Sequence, residues 1–130
     1  MLNPDYANDI LDGLVRGEEV VLPDDVYVSL HTEEPDFGDE EHEVSGNDYS
    51  RQTVDFTEPS ERKSSNDDDI DFEGMPAGEI THAGLYTDQD EGEGDLLWYG
   101  ELADSREPEE DDIVRINAGD LTATINDINE

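Results

Sequence analysis

The chain has 130 residues, of which 39 are Asp or Glu and 6 are Lys or Arg, so its formal net charge is −33. Such a surface repels phosphate, which argues against nucleic acids and anionic membranes as partners. The absence of cysteine excludes disulfides, thiolate zinc sites and a cysteine nucleophile. We also expect no signal peptide and no membrane span, because neither apolar pattern is present.

The acidic residues are spread along the whole chain rather than gathered in one tail. On the folded surface of a protein this small, the net charges lie roughly 14 Å apart. Salt at 0.15 M screens charges over ~8 Å and 1 M salt over ~3 Å, so strong brine relieves the repulsion. A single lysine, Lys63, accompanies five arginines. This composition resembles that of halophilic archaeal proteins; the alternatives are an acidic binding protein or a partly disordered tail protein.

The N-terminal segment predicts a helix over residues 4–16. Asn3 suits the N-cap and Pro4 the first helical position. Arg16 falls in the last turn, and Gly17 can adopt the left-handed conformation that ends a helix. Apolar residues recur at helical spacing and form one stripe, namely Ala7, Ile10, Leu11, Leu14 and Val15.

The rest of the chain predicts antiparallel strands with one buried and one wet face, because apolar and polar residues alternate. The alternating segments are 26–31, 53–56, 69–72, 114–116 and 121–125. Residues 80–86 and 96–102 are apolar on both faces. We therefore expect both to be central strands, covered on the second face by the helix or by a neighbouring subunit.

Turn-forming and polar residues separate these strands. We expect loops at 33–43 and 59–68, a hairpin loop at 88–95 and a tight turn at 117–120. The pattern predicts a mainly β protein, an antiparallel β-sandwich or jelly-roll-like domain with one N-terminal α-helix. We expect one domain over 1–130, with the helix at 4–16 and the sandwich at 26–126.

Two acidic clusters are candidate calcium sites. Residues 88–95 resemble half of an EF-hand loop, whose alternating oxygens suit calcium. However, Gly92 stands at the fifth position and Tyr99 at the twelfth, where a bidentate Glu is needed. The side chains of Asp67, Asp68 and Asp69 alternate sides on a strand and cannot all face one ion. We interpret both clusters as solvated segments and expect no metal site.

The three histidines also fail to predict a site. His31 ends a predicted strand, His42 lies in an acidic loop, and His82 lies in mid-strand, where we expect it to be packed and hydrogen-bonded. None is spaced as zinc ligands on one helix are. No nucleophile elbow, phosphate loop or dinucleotide motif is present. We therefore expect no cofactor, no catalytic residue and no enzyme.

Arg51 is the most informative single residue. In a chain with so few cations, each arginine is expected to have a specific partner. Arg51 follows Tyr49 and Ser50 at the start of a predicted strand. A planar guanidinium there can bind a carboxylate bidentately or bond to backbone carbonyls. We predict that Arg51 is at least partly buried in such a pairing; recognition of a ligand is the alternative.

Six segments of the chain form an ordered set of motifs, namely Val28–Pro35, Glu43–Gly46, Tyr49–Gln52, Gly78–Tyr86, Leu96–Leu102 and Asn117–Leu121. Taken in order, they resemble a family of small virion proteins of tailed phages, described as tail-fibre-like or minor tail proteins. The family's pattern is an LHT-x-x-P opening, EVSG followed by YARQ, a G-x-ITH-x-G-LY strand, and LL-x-x-G-x-L and x-x-G-x-L endings. Ser50 replaces the usual alanine. The resemblance implies an all-β virion component without catalysis, here in a tailed virus of haloarchaea.

Two functions compete. The protein is either an architectural subunit (a head decoration, turret or tail-tip component) or a host-attachment module that binds a cell-surface glycan. Trp98 and Tyr99 are the aromatic candidates for a sugar site, although their apolar strand favours a core or interface position. We expect other virion proteins as partners, a homo-oligomer, and a location in the virion after assembly in the host cytoplasm.

Overall fold

The computed structural model describes residues 2–20, 25–35, 37, 42–90 and 93–124. Within these described ranges, one helix precedes eight strands. Their order is α1 (Pro4–Arg16), β1 (Tyr27–His31), β2 (Gln52–Thr53), β3 (Lys63–Ser65), β4 (Ile70–Met75), β5 (Ile80–Tyr86), β6 (Leu96–Arg106), β7 (Asp112–Ile116) and β8 (Thr122–Thr124). The protein is mainly β with antiparallel pairing and one N-terminal helix, as the sequence predicts.

Helix α1 has the predicted bounds and the predicted caps. The Asn3 side chain accepts a hydrogen bond from the Asp5 amide, which satisfies one of the free N–H groups at the helix start. Gly17 ends the helix with φ +71°, a left-handed conformation that costs glycine little. The helix buries none of its residues. Leu11, Leu14 and Val15 of its apolar stripe are exposed, so this part of the stripe does not cover the strands. Tyr6, in the first turn, packs against the hydrophobic core.

The largest sheet has the strand order β2-β1-β5-β6. Its register pairs Val28 with Leu85 and Leu30 with Ala83, so these four apolar side chains share one face. Strand β5 is central, as predicted. Strand β6 lies at the edge of the described sheet, so the prediction that residues 96–102 form a central strand is wrong.

A ribbon of β4 and β7 forms a second layer against this sheet. Its inward residues alternate with exposed ones, because each strand has period two. They join one core cluster with the sheet residues, a layering typical of a β-sandwich. The ribbon contributes Ile70, Phe72, Met75, Val114 and Ile116 to that core.

The remaining departures from expectation concern short segments. The predicted strand at 53–56 is reduced to β2, with Phe56 making only an isolated bridge. The predicted loop at 59–68 contains β3, which pairs with β8. The turn at 117–120 connects β7 to β8, but these strands pair with β4 and β3 rather than with each other. Residues 125 and 126 of the predicted sandwich lie outside the described residues. No described helix has both the length and the apolar character needed to cross a membrane.

Candidate functional site: an acidic groove backed by the Arg51 cluster

The segment from Asp48 to Thr53 separates an internal cluster from a surface groove. Tyr49 and Arg51 point inward and are 6% and 1% exposed. Ser50 and Gln52 alternate with them and line the groove. Because the backbone is extended here, neighbouring side chains face opposite sides. One short stretch thus builds both features.

Arg51 uses its whole guanidinium inside the protein. Its Nε and Nη2 atoms donate to the two carboxylate oxygens of Glu43, at 2.8 and 2.7 Å. Its Nη1 atom donates to the backbone carbonyls of Asp88, Asp90 and Glu93, at 2.8 to 3.0 Å. The predicted burial and pairing of Arg51 are confirmed. The structure adds that both classes of partner, a carboxylate and carbonyls, are engaged at once.

Two further contacts complete the Arg51 cluster. The guanidinium carbon lies 3.5 Å from the centre of the Tyr86 ring, a cation–π contact. The Tyr49 hydroxyl donates to Glu43 at 2.9 Å and accepts from the Leu30 amide at 3.0 Å. Burial opposes the charge of Arg51, but the hydrogen bonds and charge of Glu43 hold its pKa above the ordinary value. Arg51 therefore stays cationic.

His31 lies on the same face of the sheet as Tyr86 and Arg51. Its ring is stacked on Tyr86, and its Nε2 atom lies 2.8 Å from the Ser29 hydroxyl. Burial lowers the pKa of His31 to about 4, so the ring is neutral at pH 7. Gly84 faces it, where a β-carbon would lie 2.8 Å from the Ser29 Oγ and 3.0 Å from the His31 Nε2. Only glycine leaves room for this packing.

The second face of strand β5 is thus covered by residues of the same chain. Arg51, His31 and the carbonyls of the β5–β6 loop occupy the second face at Tyr86, which is 0% exposed. The sequence expectation of a neighbouring subunit at this face rested on an uncovered apolar surface. In the described part of the chain, that surface on β5 is already closed.

The groove itself has a volume of about 510 Å³ and opens to solvent. Asp71 is held by Arg115, whose Nε and Nη2 atoms donate at 2.6 and 3.0 Å, and this pairing lowers the pKa of Asp71. Asp69 accepts from the Ala118 amide at 2.8 Å. The complete lining is Asp48, Ser50, Gln52, Thr53, Asp69, Ile70, Asp71 and Glu73.

Hydrogen-bond acceptors dominate this groove, which favours a ligand rich in donors, such as the hydroxyl groups of a neutral sugar. Among the described residues, no three His, Asp or Glu side chains converge as metal ligands would. The eight lining residues include no aromatic ring on which a sugar could stack. The groove is therefore a candidate for weak, hydrogen-bonded recognition.

In the two candidate calcium segments, 88–95 and 67–69, several groups make hydrogen bonds within the protein. The loop after β5 turns its backbone carbonyls toward Arg51, and Asp88 accepts from the amide of Asp90. Gly92 lies outside the described residues, so the fifth position of the candidate loop is not described. Of the consecutive acids at 67–69, Asp69 bonds the Ala118 amide, as described above.

The histidines occupy separate places. His42 is half-buried, and its Nδ1 atom lies 3.2 Å from a carboxylate oxygen of Glu33. His82 is half-buried, and its Nδ1 atom lies 2.7 Å from the Thr81 hydroxyl, in agreement with the predicted hydrogen-bonded histidine. His31 belongs to the Arg51 face described above. Each therefore has its own local contacts.

The aromatic pair of β6 forms no exposed platform for a sugar. Trp98 is half-buried and packs against the hydrophobic core. Tyr99 is also half-buried, with its hydroxyl donating to Glu34 at 3.2 Å and its ring centre 5.0 Å from that of Phe37. Among the described residues, the groove rather than this pair offers the open polar surface.

Asn66 is an organising residue that the sequence analysis missed. It is 1% exposed, and its side-chain nitrogen donates to the carbonyls of Asp68 and Asn117. Its side-chain oxygen accepts from the amides of Gly119 and Leu121. An Asn followed by a run of Asp is typical of a solvated loop, so only the fold reveals this role.

The chain is similar to a known protein family. The model of the family described as podophage GP4 fiber I protein gp80 matches residues 4–124, which run from α1 through β8. No curated protein matches the chain significantly. The match agrees with the resemblance to tailed-phage virion proteins seen in the sequence motifs. The chain belongs to the family of the podophage GP4 fiber I protein gp80.

Proposed function

We propose that the protein is a non-enzymatic structural subunit of the tail-fibre apparatus of a tailed virus that infects halophilic archaea. The observation that carries the structural part is the family match over residues 4–124. A tail position is preferred to a head decoration or turret, because the family is described by a fiber protein. Its partners are other virion proteins, with which it assembles in the host cytoplasm.

The chemistry of the described residues supports a structural role. The hydrogen bonds of Arg51 join Glu43 to the β5–β6 loop. Such a network fixes one conformation and leaves no donor of the guanidinium aimed at solvent. The homo-oligomer predicted from the sequence stays a prediction, since the second face of β5 no longer requires a subunit.

The halophilic host is supported by the net charge of −33. Repulsion among these charges rises as the Debye length grows from ~3 Å in 1 M salt to ~10 Å in 0.1 M salt. We expect the purified chain to lose structure when NaCl is lowered from about 3 M to about 0.1 M, a range set by this screening. Circular dichroism measures this, and an unchanged spectrum at both salts would contradict the halophilic origin.

Location in the particle requires a separate measurement. We expect mass spectrometry of purified virions to detect the chain, and immunogold labelling to place it on the tail fibres. Label on the capsid surface would move the protein to a head decoration. Absence from purified particles would contradict a virion role altogether.

A second candidate function, attachment to a host glycan, is favoured by one observation, the acceptor-rich groove between Asp48 and Glu73. Calorimetric titration with neutral oligosaccharides in molar salt tests it. We expect binding to weaken in the Asp48→Asn and Glu73→Gln variants and to be unaffected by Asp9→Asn, a change on the distant helix. Absence of heat with every sugar would leave the groove without this role.

A further inference from the structure

The outer side of strand β6 is an open edge of the largest sheet. Near the start of β6, the Asn3 amide donates to the Leu97 carbonyl and Leu2 forms a bridge with Trp98. Beyond Trp98, no strand in the described part of the chain pairs with this side. Since backbone groups alternate in direction along a strand, Glu101 presents its N–H and C=O outward, as Leu97 does. An edge of this kind is a template for another strand.

The residues along this edge are more apolar than an exposed edge needs. Between Leu96 and Ala103, Glu101 is the only charged residue, in a chain with 39 acids among 130 residues. Trp98 and Leu102 pack against the hydrophobic core and are only half-buried. Apolar surface is therefore left at the edge of the single chain, where natural edge strands usually carry charge.

Gly100 lies in the middle of this edge, and nothing in the described part of the chain requires a glycine there. The residue is exposed and its backbone is not left-handed. A β-carbon added to it would meet no described atom within 4 Å. Glycine weakens a strand and is found where another backbone approaches closely. Approach of a strand from outside the chain accounts for glycine at this position.

We propose that β6 pairs edge to edge with β6 of a second copy of the chain, antiparallel and about a two-fold axis at Gly100. The same edge then serves both copies, as in the two-fold dimers that are the commonest homo-oligomers. Glu101 of each copy lies opposite Tyr99 of the other, so the two Glu101 side chains do not face each other. The register of β6 shifts after Glu101, and this bulge bends the strand away from the Leu2 bridge of the second copy.

Charge favours this edge as the place where two copies meet. Each copy has a net charge of −33, so contact is least unfavourable where acids are few, and this edge has one acid in eight residues. Backbone hydrogen bonds and contacts of Trp98 and Leu102 need no opposite charge, and molar salt screens the remaining repulsion. The inference goes beyond the proposed function, because pairing of copies does not depend on the location in the particle.

Cysteine trapping provides the first test. The chain has no cysteine, so one introduced cysteine can form a disulfide only between copies. Opposed residues of an antiparallel pair have Cα atoms ~4.5–5.5 Å apart, a distance that a disulfide spans. In molar salt with oxidised glutathione, we expect Gly100→Cys to form a covalent dimer roughly tenfold faster than Thr122→Cys, because pairing raises the effective concentration. Thr122 is the matched exposed position on β8. Equal rates would overturn the proposal.

Sedimentation equilibrium in the same salt provides the second test. Glu101→Pro removes the outward N–H, and proline is tolerated at a sheet edge, so its circular dichroism should match that of wild type. We expect a monomer–dimer equilibrium for wild type and for the control Glu101→Gln, and a monomer for Glu101→Pro.

The proposal is overturned if Glu101→Pro dimerises as wild type does. It is also overturned if wild type stays monomeric at about 1 mM, which corresponds to only ~4 kcal/mol of binding free energy. If Glu101→Pro does not fold, the two cysteine variants still decide the outcome. These results leave the virion role untouched, whereas absence of the chain from virions would overturn the proposed function alone.

Discussion

Removal of the Arg51 side chain is the sharpest perturbation that the fold offers. The change Arg51→Ala deletes five hydrogen bonds and leaves the Glu43 carboxylate, whose side chain is 10% exposed, without its cation. Breaking a buried pair from one side costs about 3–5 kcal/mol, and three carbonyls lose a donor as well. We therefore expect a loss of about 5 kcal/mol, a large part of the ~5–15 kcal/mol that stabilises most domains.

Thermal unfolding in molar salt, followed by near-ultraviolet circular dichroism, measures this loss. For a chain of this length we expect the Tm to fall by roughly 15 °C. Arg51→Lys should lie between wild type and Arg51→Ala, because an ammonium keeps the charge but cannot reach both Glu43 and the loop carbonyls. This intermediate variant gives a reading even if Arg51→Ala does not fold.

Arg115→Ala is the matched control. Arg115 also binds a carboxylate bidentately, that of Asp71, but the two side chains are 55% and 39% exposed. Solvent screens such a pair, so we expect a much smaller Tm change than for Arg51→Ala. Equal melting of Arg51→Ala and Arg115→Ala would refute the reasoning, because burial of the Arg51 pair would then have no energetic consequence.

Three further predictions concern His31, Asn66 and Gly84. With a pKa of about 4 in the folded state and 6.5 in the unfolded state, His31 contributes fully above pH 6.5 and loses about 3 kcal/mol by pH 4. Urea unfolding in molar salt, above pH 6.5 and at pH 4, should show a smaller loss of unfolding free energy at the acid pH in His31→Asn than in wild type. Equal losses in the two proteins would contradict this. Asn66→Asp keeps the side-chain acceptor but removes the donor to two carbonyls, so we expect the free energy of unfolding to fall by about 2–4 kcal/mol. An unchanged free energy of unfolding would mean that other contacts hold the 117–121 turn. Gly84→Ala places a methyl group 2.8 Å from the Ser29 hydroxyl and should lower the Tm measured by calorimetry by several degrees. An unchanged Tm would show that the packing around Gly84 accommodates a methyl group.

Local patterns determined the parts of the fold that depend on local physics. The caps and the stripe predicted α1 at its observed bounds, because helix ends are decided by a few adjacent residues. Alternation predicted the antiparallel strands, since the buried face of a strand has period two. The scarcity of cations predicted a buried pairing for Arg51, because an arginine kept in so acidic a chain is expected to have a specific partner.

Tertiary structure alone decided which elements meet. Contacts between distant segments decide the edge position of β6 and the pairing of β7 and β8 with β4 and β3. They also decide that Leu11, Leu14 and Val15 of α1 are left exposed. Asn66 is another case. Its four side-chain hydrogen bonds join the backbone of residue 68 to that of residues 117, 119 and 121, and no local sequence pattern predicts these partners. Sequence periodicity reports which face of an element is apolar; the energy that selects its neighbour comes from packing and hydrogen bonds that exist only once the chain has folded.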